Sequence, residues 1–230
     1  MKKPLLEVIV CSVADAIAAQ NGGAGRLEIV RDLECGGLTP KLDLVRQIRD
    51  VVDLPLRVML RESVGYDVRD DDEVDTLSVA ARDFEALGID GLVLGFLKDS
   101  RVDVELTARV LACAPTVKAT FHHAFEDTSD KVNALSSIKA FSQVDRILSS
   151  GGSGDLNSRI RRLSEYESRA TSKIEIIAGG GINSTNISLI KRCTGIREFH
   201  VGRAARDHLH VNGPVSADLV EELVRLLNDL

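Results

Sequence analysis

The sequence predicts a single (β/α)8 barrel of the α/β class, one domain over residues 1–230, on three observations. Eight short runs rich in β-branched and aliphatic residues recur along the chain. Segments with apolar residues at helical spacing lie between them, and no Pro- or Ser-rich linker divides the chain. Strands alternating with amphipathic helices require right-handed crossovers and a parallel sheet, and eight such units close a barrel. An open doubly wound sheet is the alternative.

In chain order the predicted strands are Leu5 to Val10, Arg26 to Val30, Leu56 to Leu60, Gly91 to Gly95, Lys118 to His122, Arg146 to Ser150, Ile174 to Gly179 and Glu198 to Gly202. Val45, Ile48 and Val52 carry one helical stripe, and Val74, Leu77, Ala81, Phe84 and Leu87 another. Pro214 and Ser216 open the last helix, whose apolar face holds Leu219, Leu223 and Leu226. With 44% hydrophobic residues, 3% aromatics and no Trp, the core is aliphatic.

A barrel concentrates its chemistry at the C-terminal ends of its strands and in the loops that follow. Those positions hold Glu7 and Cys11, Glu28, Arg61, His122 with His123, Ser149 with Ser150, Gly179 to Gly181, and His200 with Gly202 and Arg203. Glu7 and Glu28 are carboxylates inside apolar strands. Each must be paired, protonated or working, because burying a lone carboxylate costs several kcal/mol. One reading is a structural ion pair with Arg26, Arg57 or Arg61. The other is an acid–base site of Glu7, Glu28, Arg61, His122 and His200. Strand alternation turns His123 to the other face, for packing or loop contacts. Gly180, Gly181, Gly202 and Arg203 stand where many barrels seat an anion on backbone N–H groups and a short helix N-terminus, with Arg206 as a further cation. Simple turn glycines are the alternative. Gly151 to Gly154 read as a flexible loop.

Cys11 ends the first strand and Cys35 follows the second, so the two could meet and bind Cu(I), which favours soft thiolates. Cys113 reads as helix core and Cys193 as a helix end, and small buried hydrophobes are the default for all of them. Met1 and Met59 are the sole thioethers, which excludes a methionine-rich copper site. The acidic stretch Asp67 to Asp75 reads as solvated surface, as do His208 and His210. Lys118 begins its strand, the wrong end for a Schiff base. A net charge of −6, with basic residues interleaved among acidic ones, argues against nucleic acid or an anionic membrane as partner. The opening residues are too short and too charged for a signal peptide, and cysteines without CxxC spacing point to reduced thiols. The expected location is cytoplasmic.

Taken together, Leu6-Glu7-Val8, Arg26-Leu27-Glu28, Gly36-Gly37-Leu38-Thr39-Pro40, Leu60-Arg61, Thr120-Phe121-His122 with Ala124-Phe125, Arg146-Ile147-Leu148, Ser150-Gly151, the Gly179 to Gly181 run and Glu198-Phe199-His200 resemble the CutC family. The resemblance covers nearly the whole chain. It implies a TIM barrel with a cytoplasmic role in copper homeostasis and copper binding. The sequence departs from the family pattern at Glu62 to Asp67, where a Pro-Arg-Gly-Gly-Asp-Phe stretch is usual, at His123 in place of Arg, and at Gly202 in place of Ser. Ile9 and Val30 stand where family members often carry cysteine.

Two functions therefore stay open. One is a copper-homeostasis protein that handles copper, with copper as ligand at Cys11 and Cys35. The other is a metal-independent lyase or isomerase acting on a small hydroxylated or phosphorylated compound, with Glu7 or Glu28 as base, His122 as acid and Arg61 as clamp. In either case the partner is a small molecule or anion at the strand C-terminal face. A homodimer is compatible with the class.

Overall fold

Strand β1 (Leu5–Val10) pairs in parallel with β2 (Arg26–Ile29) on one side and β10 (Glu198–Val201) on the other. That double pairing closes the sheet. The order around the closed barrel is β1, β2, β3 (Leu56–Met59), β4 (Gly91–Leu94), β7 (Lys118–Phe121), β8 (Val144–Ser149), β9 (Glu175–Ala178) and β10. The computed structural model describes residues 3–170 and 173–229. Each barrel strand lies within two residues of its predicted bounds, and the open-sheet alternative falls. The remaining strands, β5 (Leu97–Lys98) and β6 (Arg101–Val102), form a small antiparallel hairpin above β4 that no sequence period announced.

Helices cover the outside of the barrel: α1 (Val13–Asn21), α2 (Leu42–Arg49), α3 (Asp71–Ala86), α4 (Val104–Leu111), α5 (Ala124–Asp127), α6 (Lys131–Lys139), α7 (Leu156–Arg169), α8 (Ile187–Thr194) and α9 (Ala217–Asn228). Side-chain caps set several of their starts. Ser12, Asp70, Asp103, Asp130 and Asp155 each accept a first-turn backbone N–H. Asp70 thus gives part of the acidic stretch a structural task. Cys113 lies in the turn past α4, not in a helix core.

The main apolar core lies between barrel wall and helices, where Val8, Val10, Leu27, Ile29, Leu56 and Val58 meet Ala16, Ala19, Ile48, Leu77 and Phe84. Inside the barrel the apolar share is small: Ile9, Val30, Met59 and Val93 form a separate cluster. Below it the interior is ionic. Arg26 bridges Glu7 and Glu198, Arg146 makes a two-pronged contact with Glu198, and Arg57 reaches Asp145 at 2.9 Å. A low-dielectric interior strengthens such contacts and penalises any member left unpaired.

The seam where α9 meets α1 leaves no room for a side chain at Gly22. A Cβ there would stand 2.5 Å from the Ala217 carbonyl oxygen and 2.6 Å from the Val220 Cβ. The backbone at Gly22 is ordinary right-handed helix, so overlap is the sole objection. Gly22→Ala is expected to destabilise by about 1–3 kcal/mol, read as a lowered urea midpoint. An unchanged midpoint would show that the seam can yield.

Candidate active site

At the C-terminal mouth of the barrel lies a cavity of about 250 Å³. Glu28 from β2, Arg61 after β3, His122 after β7 and His200 from β10 all line it, together with Gly180, Gly181, Gly202 and Arg203. Its apolar wall is the interior cluster of Ile9, Val30 and Met59 with Leu148 and Ile182. Glu7 does not line the cavity. Its carboxylate lies one layer deeper, accepting from Arg26 and, at 2.8 Å, from His200 Nδ1.

Those contacts divide the carboxylates into unlike states. Burial alone would raise the pKa of Glu7, but the Arg26 guanidinium and the His200 hydrogen bond outweigh it and hold Glu7 ionised. Glu28 is equally buried and has weaker help: its Oε2 lies 3.3 Å from His200 Nδ1 and has no hydrogen-bond partner. Burial pushes it up to about 7 against the pull of His200, with the Glu7 charge adding to the rise. A carboxyl that titrates near neutrality can give or take a proton at little cost. Burial would lower the pKa of His200, but Glu28 and Glu7 together raise it.

His122 is held in the opposite sense. Burial and the charge of Arg61 push its pKa well down, so the ring is neutral. Its Nδ1 accepts the Ala124 N–H at 3.2 Å, which puts the proton on Nε2, a buried nitrogen with no partner in the protein. Arg61 gives one nitrogen to the Cys35 carbonyl at 2.7 Å and keeps Nε buried and unpartnered. Tyr66 lies between the two, its ring 5.0 Å from that of His122 and 5.6 Å from the Arg61 guanidinium carbon. Sequence reasoning missed Tyr66, because a loop residue carries no periodic signal.

His123 corrects an expectation. The strand ends at Phe121, and His123 has φ −56° and ψ −12°, a helical backbone that ends the alternation and lets its ring line the cavity beside His122. Gly151 to Gly154 are likewise more than a flexible loop. The Glu126 carboxylate sits among Ser149 Oγ, Ser150 N–H and Oγ, and Gly152 N–H at 2.6–3.0 Å. Burial would raise the pKa of Glu126, but His123 and these donors bring it to about 2.

The anion seat is partly redrawn. Arg203 lies exposed at the cavity rim, but it opens a turn of three residues, Arg203–Ala205, rather than a helix whose N-terminus could add charge. Arg206 is spent elsewhere, on Asp15 at 3.1 Å and on the Ile9 and Gly213 carbonyls.

The CutC family model matches residues 4–205. The chain belongs to the CutC family. It is 33% identical over 215 residues to a Xanthomonas campestris family protein CutC, covering 93% of this chain and 86% of that one. It is 33% identical over 205 residues to a mouse copper homeostasis protein cutC homolog, covering 88% and 75%. The crystal structure of a putative copper homeostasis protein CutC from Streptococcus agalactiae superposes with a TM-score of 0.81 at 25% identity, covering 86% of this chain and 97% of that one.

The family's names imply copper, and the residues here do not suit Cu(I). Cys11 is half-buried with its sulfur 3.6 Å from the Arg206 guanidinium, and burial pushes its thiol up to about 11 despite that cation. Cys35 is exposed on the turn after β2, and neither cysteine lines the cavity. Met1 lies outside the described residues. Among the described residues, the cluster of candidate ligand atoms within 4.8 Å of one another is Glu7, Glu28 and His200. It offers hard oxygens, its imidazole Nδ1 already donates to Glu7, and Arg26 adds a positive charge alongside.

Proposed function

We propose that this chain is an enzyme of the lyase or isomerase class that moves a proton on a small hydroxylated or anionic carbonyl compound. The observation that carries the reading is that Glu28, a buried carboxyl, lines the same cavity as Arg61 and His122, whose Nε and Nε2 are N–H donors without a partner. Unsatisfied buried N–H groups are costly, and a ligand oxygen reaching in between Arg61 and His122 accounts for both. In this reading the Glu28 carboxylate removes a proton from the carbon beside a carbonyl group. The negative charge that develops on the carbonyl oxygen is met by the two N–H groups, already oriented. His200, fixed by Glu7, steadies the ionised form of Glu28. Arg203 at the rim and the Gly180–Gly181 turn hold the outer, charged end of the ligand.

Relatives' names carry a part in copper homeostasis, and the separate, non-cavity positions of Cys11 and Cys35 speak against copper held by that pair. Four free cysteines fit a reducing, cytoplasmic setting. Among the described residues no helix is long and apolar enough to cross a membrane.

Proton NMR in D2O tests the reading, with lactate, pyruvate, glycolaldehyde, glyceraldehyde 3-phosphate and ribose 5-phosphate as probes. The expected result is loss of the C–H signal beside the carbonyl group for at least one probe, slowed by about 100-fold or more in Glu28→Gln. No exchange by the wild type across the set would overturn it.

A further inference from the structure

We infer that His123, oriented by Glu126, is the second proton-transfer group of the cavity, working on the face of the ligand opposite Glu28, and that the substrate is a hydroxy-aldehyde or hydroxy-ketone. The inference rests on the proton-transfer reading above and goes further by naming the partner residue and the substrate class.

Strand order places the two groups. In a closed barrel of eight strands β8 stands opposite β2, and β7 and β9 flank β8. Glu28 projects from β2. His123 follows β7 and leans toward the ends of β8 and β9: a Cβ on Gly180 would lie 3.5 Å from its Cε1 and 2.7 Å from the Ser150 Cβ. Both residues line the cavity, so a ligand seated there has a carboxyl on one wall and an imidazole on the other.

The imidazole is positioned as a proton carrier must be. His123 Nδ1 is buried and lies 3.3 Å from Glu126 Oε2, an ion-pair distance at which no hydrogen bond is formed while the ring is neutral, and the side chain as a whole is about one-third exposed. Pointing Nδ1 at a carboxylate leaves Nε2 for the ligand, a division of labour seen wherever a carboxylate orients a catalytic histidine. Glu126 is itself immobilised. Ser149 Oγ, Ser150 N–H, Ser150 Oγ and Gly152 N–H all donate to its Oε1, and Ser150 Oγ also reaches Oε2. A cradle of that density is more than a surface carboxylate needs for solvation. It fixes the Oε2 that faces His123.

Two proton carriers across one carbonyl group define a balanced step. The Glu28 carboxylate takes the proton from the hydroxyl-bearing carbon. The C–H electron pair becomes the new C=C bond, the carbonyl π pair moves to oxygen, and the protonated His123 gives its proton to that oxygen. The enediol collapses in reverse about the neighbouring carbon: neutral His123 takes the other hydroxyl proton, and Glu28 returns its own to the former carbonyl carbon. Aldehyde and ketone interchange with no co-reactant. His122 remains the neutral N–H donor to the oxygen between them, since its Nδ1 is committed to the Ala124 N–H.

The test uses glyceraldehyde 3-phosphate and ribose 5-phosphate with the full chain, measuring deuterium entry at carbon separately from appearance of the isomeric ketone. His123→Ala is expected to lower ketone formation by about 100-fold while carbon exchange falls far less, and added imidazole is expected to restore part of the lost rate. Glu126→Gln keeps an oxygen for the Ser150 and Gly152 N–H groups, so its fold is expected to hold. Its kcat is expected to fall by about tenfold at unchanged KM. The 15N shifts of the His123 ring are expected to move away from the Nδ1–H tautomer. Ketone formation at the wild-type rate in His123→Ala, a loss that imidazole does not rescue, or an unmoved tautomer in Glu126→Gln would each overturn the assignment. Carbon exchange without ketone formation in the wild type would overturn it too, leaving the Glu28 reading intact. Absence of exchange with these two probes in the wild type would also overturn it, and absence across the whole set of five would fell the Glu28 reading with it.

Discussion

Arg26→Ala is expected to remove about 3–5 kcal/mol of unfolding free energy, the cost typical of breaking a buried charge pair by deleting one partner. Arg26 is 2% exposed and serves two carboxylates: Nε donates to Glu7, and Nη2 donates to Glu198 at 2.7 Å. Glu198 keeps Arg146 after the change, bound through Nε at 2.7 Å and Nη2 at 2.9 Å. Glu7 keeps only His200, so most of the loss falls on Glu7. Adding Glu7→Gln to the variant removes the stranded charge and is expected to return a substantial part of the stability, whereas Arg26→Lys is not, because one ammonium cannot reach both acids in the geometry of the planar fork. Urea unfolding at neutral pH measures all of these. A loss below about 1 kcal/mol in Arg26→Ala would mean that water enters the barrel floor and that the ion network is not sealed.

The second large effect is a stability that falls as pH rises. Glu28 titrates near 7 in the folded chain against an ordinary value of 4.5. Between those values the native state holds more protons than the unfolded one. Its contribution is therefore complete below about pH 4.5 and disappears as pH climbs through 7. His200, also raised, acts in the same direction. Glu7, Glu198 and Glu126 are held low and act oppositely: their contribution is present above the ordinary carboxylate range and is lost on acidification. The sum is a maximum near pH 5, followed by a decline of order 1–3 kcal/mol toward pH 8. Glu28→Gln imitates the protonated acid, so its curve is expected to fall less steeply on the alkaline side, where His200 still loses its proton, and to lie above the wild type at pH 8. Urea midpoints at pH 5, 6.5 and 8 decide it. Equal slopes for the two proteins would show that Glu28 is ionised throughout.

Local pattern carried the barrel, because strands and helices differ in period and each barrel strand here is short, aliphatic and bounded by polar residues. Glu28, Arg61, His122 and His200 were legible for the same reason: charge interrupting or ending an apolar strand marks the mouth. What escaped was everything that depends on a contact distant in sequence or on a bend. His123 was misplaced because alternation was extended two residues past Phe121, where the chain had already turned toward α5. Glu126 finds its donors more than twenty residues on, in the loop after β8. Glu7 could be read as paired or as catalytic, and only the third dimension shows Arg26 reaching it from β2 while His200 reaches it from β10.

The joint around Asp15 and Arg206 says something about how the molecule comes to be. These partners lie 191 residues apart. Asp15 accepts from the Cys11 and Val215 N–H groups as well, and Arg206 clasps carbonyls on both sides of the join. During synthesis β1 leaves the ribosome early, yet it must wait for β10 with one edge unpaired, and an unpaired edge strand is the surface through which nascent chains stick to one another. The last step of folding is then the fastening of a clasp, late and of high contact order. A chain circularly permuted to begin at the β8–α7 loop would emit β10, the clasp residues and β1 in close succession. The late pairing would then pass to the seam between β8 and β9, which the cut itself opens.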